Sequence, residues 1–381
     1  MAKTRSFARV ISLSRGSATN MLQRLLNNLL VLANLPAALL LGASCLSMYI
    51  RPEHLWFLSF LGLVFPLIWV LNLCFFLWFL LRRSKYCLIS GVLLLAGYNL
   101  PGRFVALGGT PYLSEAASSG LTKTDGNASF SLLSYNVKGH AFRDKKGNPI
   151  NKSELFKFVE TQQPSIACFQ EYPSRSSALP EAAIPRLNHR HKGKRNLITA
   201  TRFPIIKKGE IVFENTGNSC IYSDILVQKD TFRIYNCHLE SNRILESEYD
   251  VIDDIYLSYN EEQINDLKSV ARKMRKAFIV RSGQVDSIAN HIRQSPHPVI
   301  VCGDFNDTPV SYAYQRIRNS LDDAFIRAGR GYGISFRRRL IAVRIDYTLF
   351  CPDTWKAEAY SCPHIVMSDH FPVLTRLTLL K

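Results

Sequence analysis

The stretch PVIVCGDFNDTP, Pro298 to Pro309, sets the apolar run Val299–Cys302 directly against Gly303, Asp304, Phe305, Asn306 and Asp307. The run reads as a buried strand. A carboxylate buried without a partner costs several kcal/mol, so the acids that follow are either solvated in a turn or hold something positive. The same chemistry recurs at other strand ends. SLLSYNV brings Asn136, SIACFQEYP brings Gln170 and Glu171, and RIYNCHLES brings Asn236 and His238. RIDYTLF embeds Asp346, and MSDHFPVL sets Asp369 and His370 before the last strand. Each alone is an ordinary turn. Six such strand ends point to one edge of a sheet, where ligands gather in layered α/β folds.

The set is chemically coherent. Oxygen donors without cysteine suit a hard cation such as Mg2+ or Mn2+. Such an ion neutralises a phosphate and a developing alkoxide. An Asp–His pair manages protons, because the carboxylate fixes the imidazole tautomer and favours its charged form. Together these groups equip a site to cleave a phosphate ester with water. The nine cysteines include no CxxC pair and no zinc-type Cys/His spacing. Cys168, Cys237 and Cys302 read as packing residues, and Cys351 and Cys362 flank a short segment that would allow pairing in an oxidising compartment.

The elements that must position these residues begin at Phe130. Eight short β-rich runs follow, FSLLSYNV, SIACFQEY, NLITATRFPII, CIYSDILVQ, TFRIYNCHLES, PVIVCGDF, VRIDYTLF and FPVLTRLTL. Helix-like stretches at Lys152–Gln162 and Asn260–Arg293 separate some of them. Many strands with few helices predict sheets covered by helices.

The motifs SYNV, QEYP, NCHLES, GDFND, RIDY and SDHFPV occur in an order and at a spacing that resemble the endonuclease/exonuclease/phosphatase superfamily. The resemblance covers residues 130–381. It implies an α/β fold, a four-layer αββα sandwich of two packed mixed sheets flanked by helices, with the site where the loops of the two sheets meet. By the same resemblance Glu171 is the principal metal ligand, with Asn136 beside it and Asp369 near the same Mg2+ or Mn2+. Asp304 positions or deprotonates the attacking water, and Asn306 bonds that water or the phosphoryl oxygens. Asp346 orients His370, which contacts the scissile phosphate, and His238 stabilises charge from the other side. The activity implied is that of a metal-dependent phosphoesterase, a phosphodiesterase or nuclease in the first instance.

The front third has a different texture. Leu25–Ile50 and Leu55–Leu81 carry no charge, and Tyr86–Leu107 is apolar until Asn99, Pro101 and Arg103. The first two each exceed the roughly 20 residues that span a bilayer, and the third is weaker. Three transmembrane helices, 25–50, 55–81 and 86–107, are therefore expected, the third with an interfacial helix as its alternative. Residues 1–107 form a membrane anchor in this reading, 108–129 a Ser/Gly/Ala-rich linker, and 130–381 the catalytic domain. Lys3, Arg5, Arg9, Arg15 and Arg24 precede the first span, and Arg82, Arg83 and Lys85 follow the second. Both groups should stay cytoplasmic. Three spans then place the catalytic domain outside the cytoplasm, and two would leave it inside.

Charge bears on partners. The net charge is +17; residues 1–110 hold ten Lys/Arg against one acid, Glu53, and residues 111–381 hold 37 against 29. The second excess is a mild lean towards anionic partners. Arg337, Arg338 and Arg339 precede RIDY and would form either an anion-binding hairpin at the mouth of the site or an exposed turn. With Tyr332 and Phe336 they would suit nucleic acid. A lipid head group is the alternative substrate, since an anchor would hold the site near the bilayer. A phosphate-binding module without turnover is a third reading, disfavoured by the complete acid and histidine set. The segment 242–281 begins acidic at Glu246–Asp254 and turns basic at Lys268–Arg281. It is either an amphipathic helix for anionic lipid or a solvated face over a core. No motif identifies a protein partner.

Overall fold

In the computed structural model residues 2–109, 123–124, 127–138, 152–172, 186–245, 247–249, 261–338, 341–365 and 367–380 are described. The acidic run Glu246–Asp254, most of the 108–129 segment and Arg339 lie outside them or largely so. By internal packing the chain divides into two units, Met1–Leu46 with Val64–Tyr98, and Ser47–Leu63 with Asn99–Lys381.

The first unit is built of the apolar helices Ala2–Leu46, Phe65–Leu81 and Cys87–Ala96. A buried polar knot ties all three. Ser90 Oγ lies 2.5 Å from Asn34 Oδ1 and 2.9 Å from Asn72 Oδ1, and Asn72 Nδ2 donates to the Ala37 carbonyl at 2.9 Å. Such bonds fix helix register where apolar packing alone does not. The expectation of three spans is corrected. Among the described residues one helix, Gln23–Leu46, is by itself long and apolar enough to cross a bilayer. The second run is broken at Val64 (φ −96°, ψ 14°), so Phe57–Leu63 and Phe65–Leu81 reach that length only if taken as one bent span. The third is the ten-residue helix Cys87–Ala96, capped at Gly97 and followed by the tight turn Pro101–Arg103.

The second unit is a sandwich. In chain order its strands are β1 (Val105–Ala106), β2 (Lys123–Thr124), β3 (Asn127–Asn136), β4 (Ile166–Gln170), β5 (His189–Lys192), β6 (Ile198–Thr201), β7 (Ile205–Val212), β8 (Ser219–Val227), β9 (Asp230–His238), β10 (Val299–Asp304), β11 (Asp322–Asp323), β12 (Gly331–Tyr332), β13 (Phe336–Arg338), β14 (Ile341–Val343), β15 (Asp346–Phe350), β16 (Trp355–Ser361) and β17 (Val373–Leu379). One sheet runs β11-β15-β10-β9-β8-β7 and the other β16-β17-β3-β4-β6-β5, with β2 on β3. Both are mixed: β9–β10 and β3–β4 are parallel, and their neighbours antiparallel.

Alternation along the strands makes the layers. Phe130 and Leu132 of β3 point between the sheets and pack with Ile234 of β9 and Ile300 of β10. Leu133 and Tyr135 point the other way, onto Leu155 and Val159 of the Lys152–Gln162 helix. On the opposite outer face Tyr235 and Val301 pack with Val285 and Ile288 of the Glu261–Arg293 helix. The order helix, sheet, sheet, helix is the four-layer arrangement expected from the sequence.

In the basic half of that long helix the apolar face is packed within the fold. Val270, Met274 and Phe278 are buried against Phe60, Leu63 and Ile244, the solvated-face-over-a-core alternative. Cys168, Cys237 and Cys302 are fully buried, and Cys351 and Cys362 are free thiols.

One glycine governs the strand that leads into the site. Gly303 has φ +132°, and a Cβ there would lie 2.0 Å from the Cys237 carbonyl oxygen of β9. Gly303→Ala is expected to destabilise the sandwich by about 3 kcal/mol or more. Thermal unfolding followed by far-UV circular dichroism checks this, and an unchanged midpoint would contradict it.

Candidate active site

Sheet register brings the polar strand ends together. Asp304 pairs with His238 across parallel β9–β10 and with Asp346 across antiparallel β10–β15. In the facing sheet Asn136 pairs with Gln170 across β3–β4, and Glu171 follows at once. Asp369 and His370 lie just before β17, where His370 bridges to Phe336.

An amide clasp joins the sheets beneath this edge. Gln170 Nε2 donates to Asn236 Oδ1 at 2.7 Å. Asn236 Nδ2 in turn reaches the carbonyls of Phe169 (3.2 Å) and Ile198 (3.0 Å). Both side chains are fully buried, so the clasp satisfies groups that water does not reach.

Asp304 sits above the clasp, 1 % exposed. Its Oδ2 accepts from Asn136 Nδ2 at 2.9 Å and from Asn306 Nδ2 at 3.2 Å, and its Oδ1 accepts from the Asn306 backbone at 2.8 Å. Asn306 adopts φ +53°, a left-handed turn that asparagine tolerates. The same Oδ2 is 3.6 Å from His370 Nε2 and 3.9 Å from His238 Nε2. Burial pushes the Asp304 carboxyl up to about 6, against the opposing pull of His370 and with a push from Asp346. His370 Nδ1 lies 2.9 Å from Asp346 Oδ2. Burial disfavours the charged ring, but Asp346 and Asp304 outweigh it and lift His370 to about 10. Asp346 is itself held by the register of β15 and by its backbone N–H on Ser335 Oγ at 2.9 Å.

Glu171, at φ +52°, turns its side chain towards the opening. Its Oε1 accepts from Asn136 Nδ2 at 3.0 Å and lies 3.5 Å from His238 Nε2. That imidazole nitrogen is buried and has no hydrogen-bond partner among the described residues.

Two groupings could hold a cation. Asp304, Asp346 and His370 offer donor atoms within 4.8 Å of one another. In that trio Asp346 is sealed, 2 % exposed, and already bonded to His370. Glu171 is 39 % exposed at its side chain and sits beside Asn136 and, through it, Asp304. A hard divalent ion keeps several waters and therefore fits the open grouping better. Asp369 lines the same cavity, but two cations engage its carboxylate, Lys138 Nζ at 2.5 Å and Arg338 at 3.1 Å. With His370 they outweigh burial and hold Asp369 below the ordinary carboxylate range.

The cavity has a volume of about 460 Å³ and takes in Glu171, Asp304, Asn306, Asp369 and His370. Of the arginine run, Arg338 lines it. The Arg337 side chain is exposed and is not part of its wall, although its backbone N–H donates to the Asp369 carbonyl at 2.9 Å. The paired Arg338 and the ring of Phe336, 5.0 Å from His370, make this hairpin part of the site's rim. Sequence reasoning missed Lys138. Its left-handed φ of +45°, two residues after Asn136, turns it back towards Asp369.

A family model described as the Endonuclease/Exonuclease/phosphatase family matches residues 133–370, and one described as a domain of unknown function matches residues 27–104. No curated protein matches the chain. Among solved structures, an endonuclease/exonuclease/phosphatase from Bacteroides vulgatus is similar at 17 % identity, with a TM-score of 0.49, over 66 % of this chain and 99 % of that one. The human Nocturnin catalytic domain with bound sulfate anion gives 15 %, 0.45, 66 % and 95 %. A Bacteroides thetaiotaomicron mannosyl-6-phosphatase gives 15 %, 0.46, 66 % and 100 %.

The clasp makes a direct prediction. Asn236→Leu leaves two buried carbonyls and the Gln170 amide short of partners, a loss of about 2 kcal/mol or more and roughly 5–10 °C in Tm. Differential scanning calorimetry checks it, and an unmoved Tm would show that the sheets are held without the clasp.

Proposed function

The chain belongs to the endonuclease/exonuclease/phosphatase family, and on that premise we propose that it is a membrane-anchored, divalent-metal-dependent phosphoesterase that uses water as its nucleophile. The observation that supports this most is the meeting of Asn136, Glu171, His238, Asp304 and His370, from both sheets, within hydrogen-bond or ion-pair reach around one opening.

Each side chain has a part in that chemistry. Glu171 would hold Mg2+ or Mn2+, Asn136 would join it by turning its amide oxygen to the ion in place of the Lys138 backbone N–H, and Asp369 would join on release of Lys138 or Arg338. The bound ion would neutralise phosphoryl charge and stabilise the leaving oxygen. Asp304, raised towards neutrality, holds and deprotonates a water at Oδ2. Asn306 keeps that carboxylate turned and would donate to a phosphoryl oxygen on giving up its bond to the Leu239 carbonyl. His370, kept cationic by Asp346, faces the charge that develops on the phosphorus oxygens. His238 Nε2 supplies a further fixed contact from the β9 side. A binding module without turnover would have no use for a carboxylate buried beside two imidazoles.

For the anchor, the basic residues from Lys3 to Arg24 favour a cytoplasmic N-terminus. A crossing by Gln23–Leu46 then puts the chain that follows on the extracytoplasmic side.

Asp304→Ala and His370→Ala are each expected to lower turnover of bis(p-nitrophenyl) phosphate by about 10²–10⁴-fold, with the thermal midpoint retained. A chelator should silence the wild type, and Mg2+ or Mn2+ should restore it. Turnover retained in both variants would contradict the assignment. A reporter active only outside the cytoplasm, fused after Lys381, is expected to be active. Activity of a cytoplasm-only reporter at that position would reverse the topology.

A further inference from the structure

The cavity that holds the acidic cluster has a second half with no part in hydrolysis. Leu63, Ile244, Ile341 and Val343 are half-buried in its wall, and Met274 and Phe278 close it from behind. These side chains come from four separate segments and line the same cavity as Lys138, Arg338, Asp304 and His370.

One of those segments is unusual. Leu63 and the helix Phe57–Leu63 lie outside the residues that the family model matches, 133–370. They are nevertheless built into the catalytic unit. The Phe60 and Phe278 rings meet edge to face at 5.2 Å, and Arg275 lies 5.1 Å from the centroid of the Trp56 ring. Arg51 pairs with Asp286 at 3.0 Å, and Ser47 Oγ donates to the Val310 carbonyl at 3.1 Å. Two residues after Leu63, the chain enters the apolar helix Phe65–Leu81. The sequence that supplies the anchor also supplies a wall of the pocket.

A pocket lined by both charged and apolar side chains suits an amphiphile. Its volume of about 460 Å³ accommodates a compact ligand. Single-stranded nucleic acid would ask for exposed stacking rings beside a basic track. Among the described residues lining the cavity, Phe336 packs on His370, Arg338 is engaged by Asp369, and the Tyr249 ring is already faced by Arg338 at 5.3 Å.

We propose that the substrate is a lipid of the bilayer bearing a phosphate ester. Its phosphate lies at Asp304 and His370, and its hydrocarbon chain lies along Leu63, Ile244, Ile341 and Val343. This rests on the phosphoesterase reading and names its substrate class. Hydrolysis by water leaves the apolar alcohol or its phosphorylated half in the membrane, according to which ester bond breaks.

The test uses the full chain in lipid nanodiscs with Mg2+ and p-nitrophenyl phosphodiesters whose second alcohol is ethyl, butyl or octyl. The ratio kcat/KM is expected to rise by up to roughly fourfold per methylene until the wall is covered. In Leu63→Ser and in Val343→Ser, on separate elements, the slope against chain length should fall. Simple partitioning into the disc would keep the slope intact in both variants, and that result would overturn the proposal. So would a flat series in the wild type, or preference for thymidine 5′-p-nitrophenyl phosphate over the octyl ester. In those cases turnover of the ethyl ester leaves the phosphoesterase reading standing. No turnover of any ester would remove that reading, and this one with it.

Discussion

A single carboxylate taken out of water, Asp304, constrains the rest of this sandwich. An isolated charge at that depth would be protonated or would unfold its surroundings. It is kept by donors fixed from three directions, Asn136 across the sheet interface, Asn306 in its own turn and the imidazole of His370. None of these can reach it unless β3, β10 and the segment before β17 end at the same level. The parallel and antiparallel registers around β10 set that level, and the Gln170–Asn236 clasp locks the two sheets to it. The fold is thus the device that makes one buried acid tolerable, and a tolerable buried acid is a useful base.

The electrostatic arrangement divides labour between two neighbouring acids. Asp346 is spent on His370, holding it charged and oriented. Asp304 is pushed up to about 6 by burial, with His370 at 3.6 Å pulling against it. Environments that move the proton affinities of adjacent groups, here Asp304 and His370, are the usual mark of a working acid–base site. Asp369 follows a third course, its charge absorbed by Lys138 and Arg338 at the rim.

Much of this was legible in the sequence because strand-end chemistry leaves a local mark. An apolar run that stops in Asp, Asn, Glu or His is readable one motif at a time, and the eight runs all contribute strands. What was not legible depends on partners distant in sequence. Strand β5, His189–Lys192, is a four-residue edge of basic residues with no apolar alternation, and β16 hides in WKAEAYS. Lys138 carries no motif, and its place follows from a backbone turn. The break at Val64 was invisible to hydropathy, because Phe57–Leu63 is as apolar as a span but finds its burial against Met274 and Phe278. Arg337 and Arg338 looked equivalent as neighbours, yet adjacent strand residues face opposite ways, and one alone lines the cavity.

The central claim is that this edge gathers oxygen donors around a divalent ion, with Glu171 foremost. Anomalous diffraction from crystals grown with Mn2+ tests it most directly. The account predicts a manganese peak bonded to the Glu171 carboxylate, beside Asn136, that disappears in Glu171→Gln. A peak held by Asp346 and His370 instead, or none in the cavity at all, would contradict it.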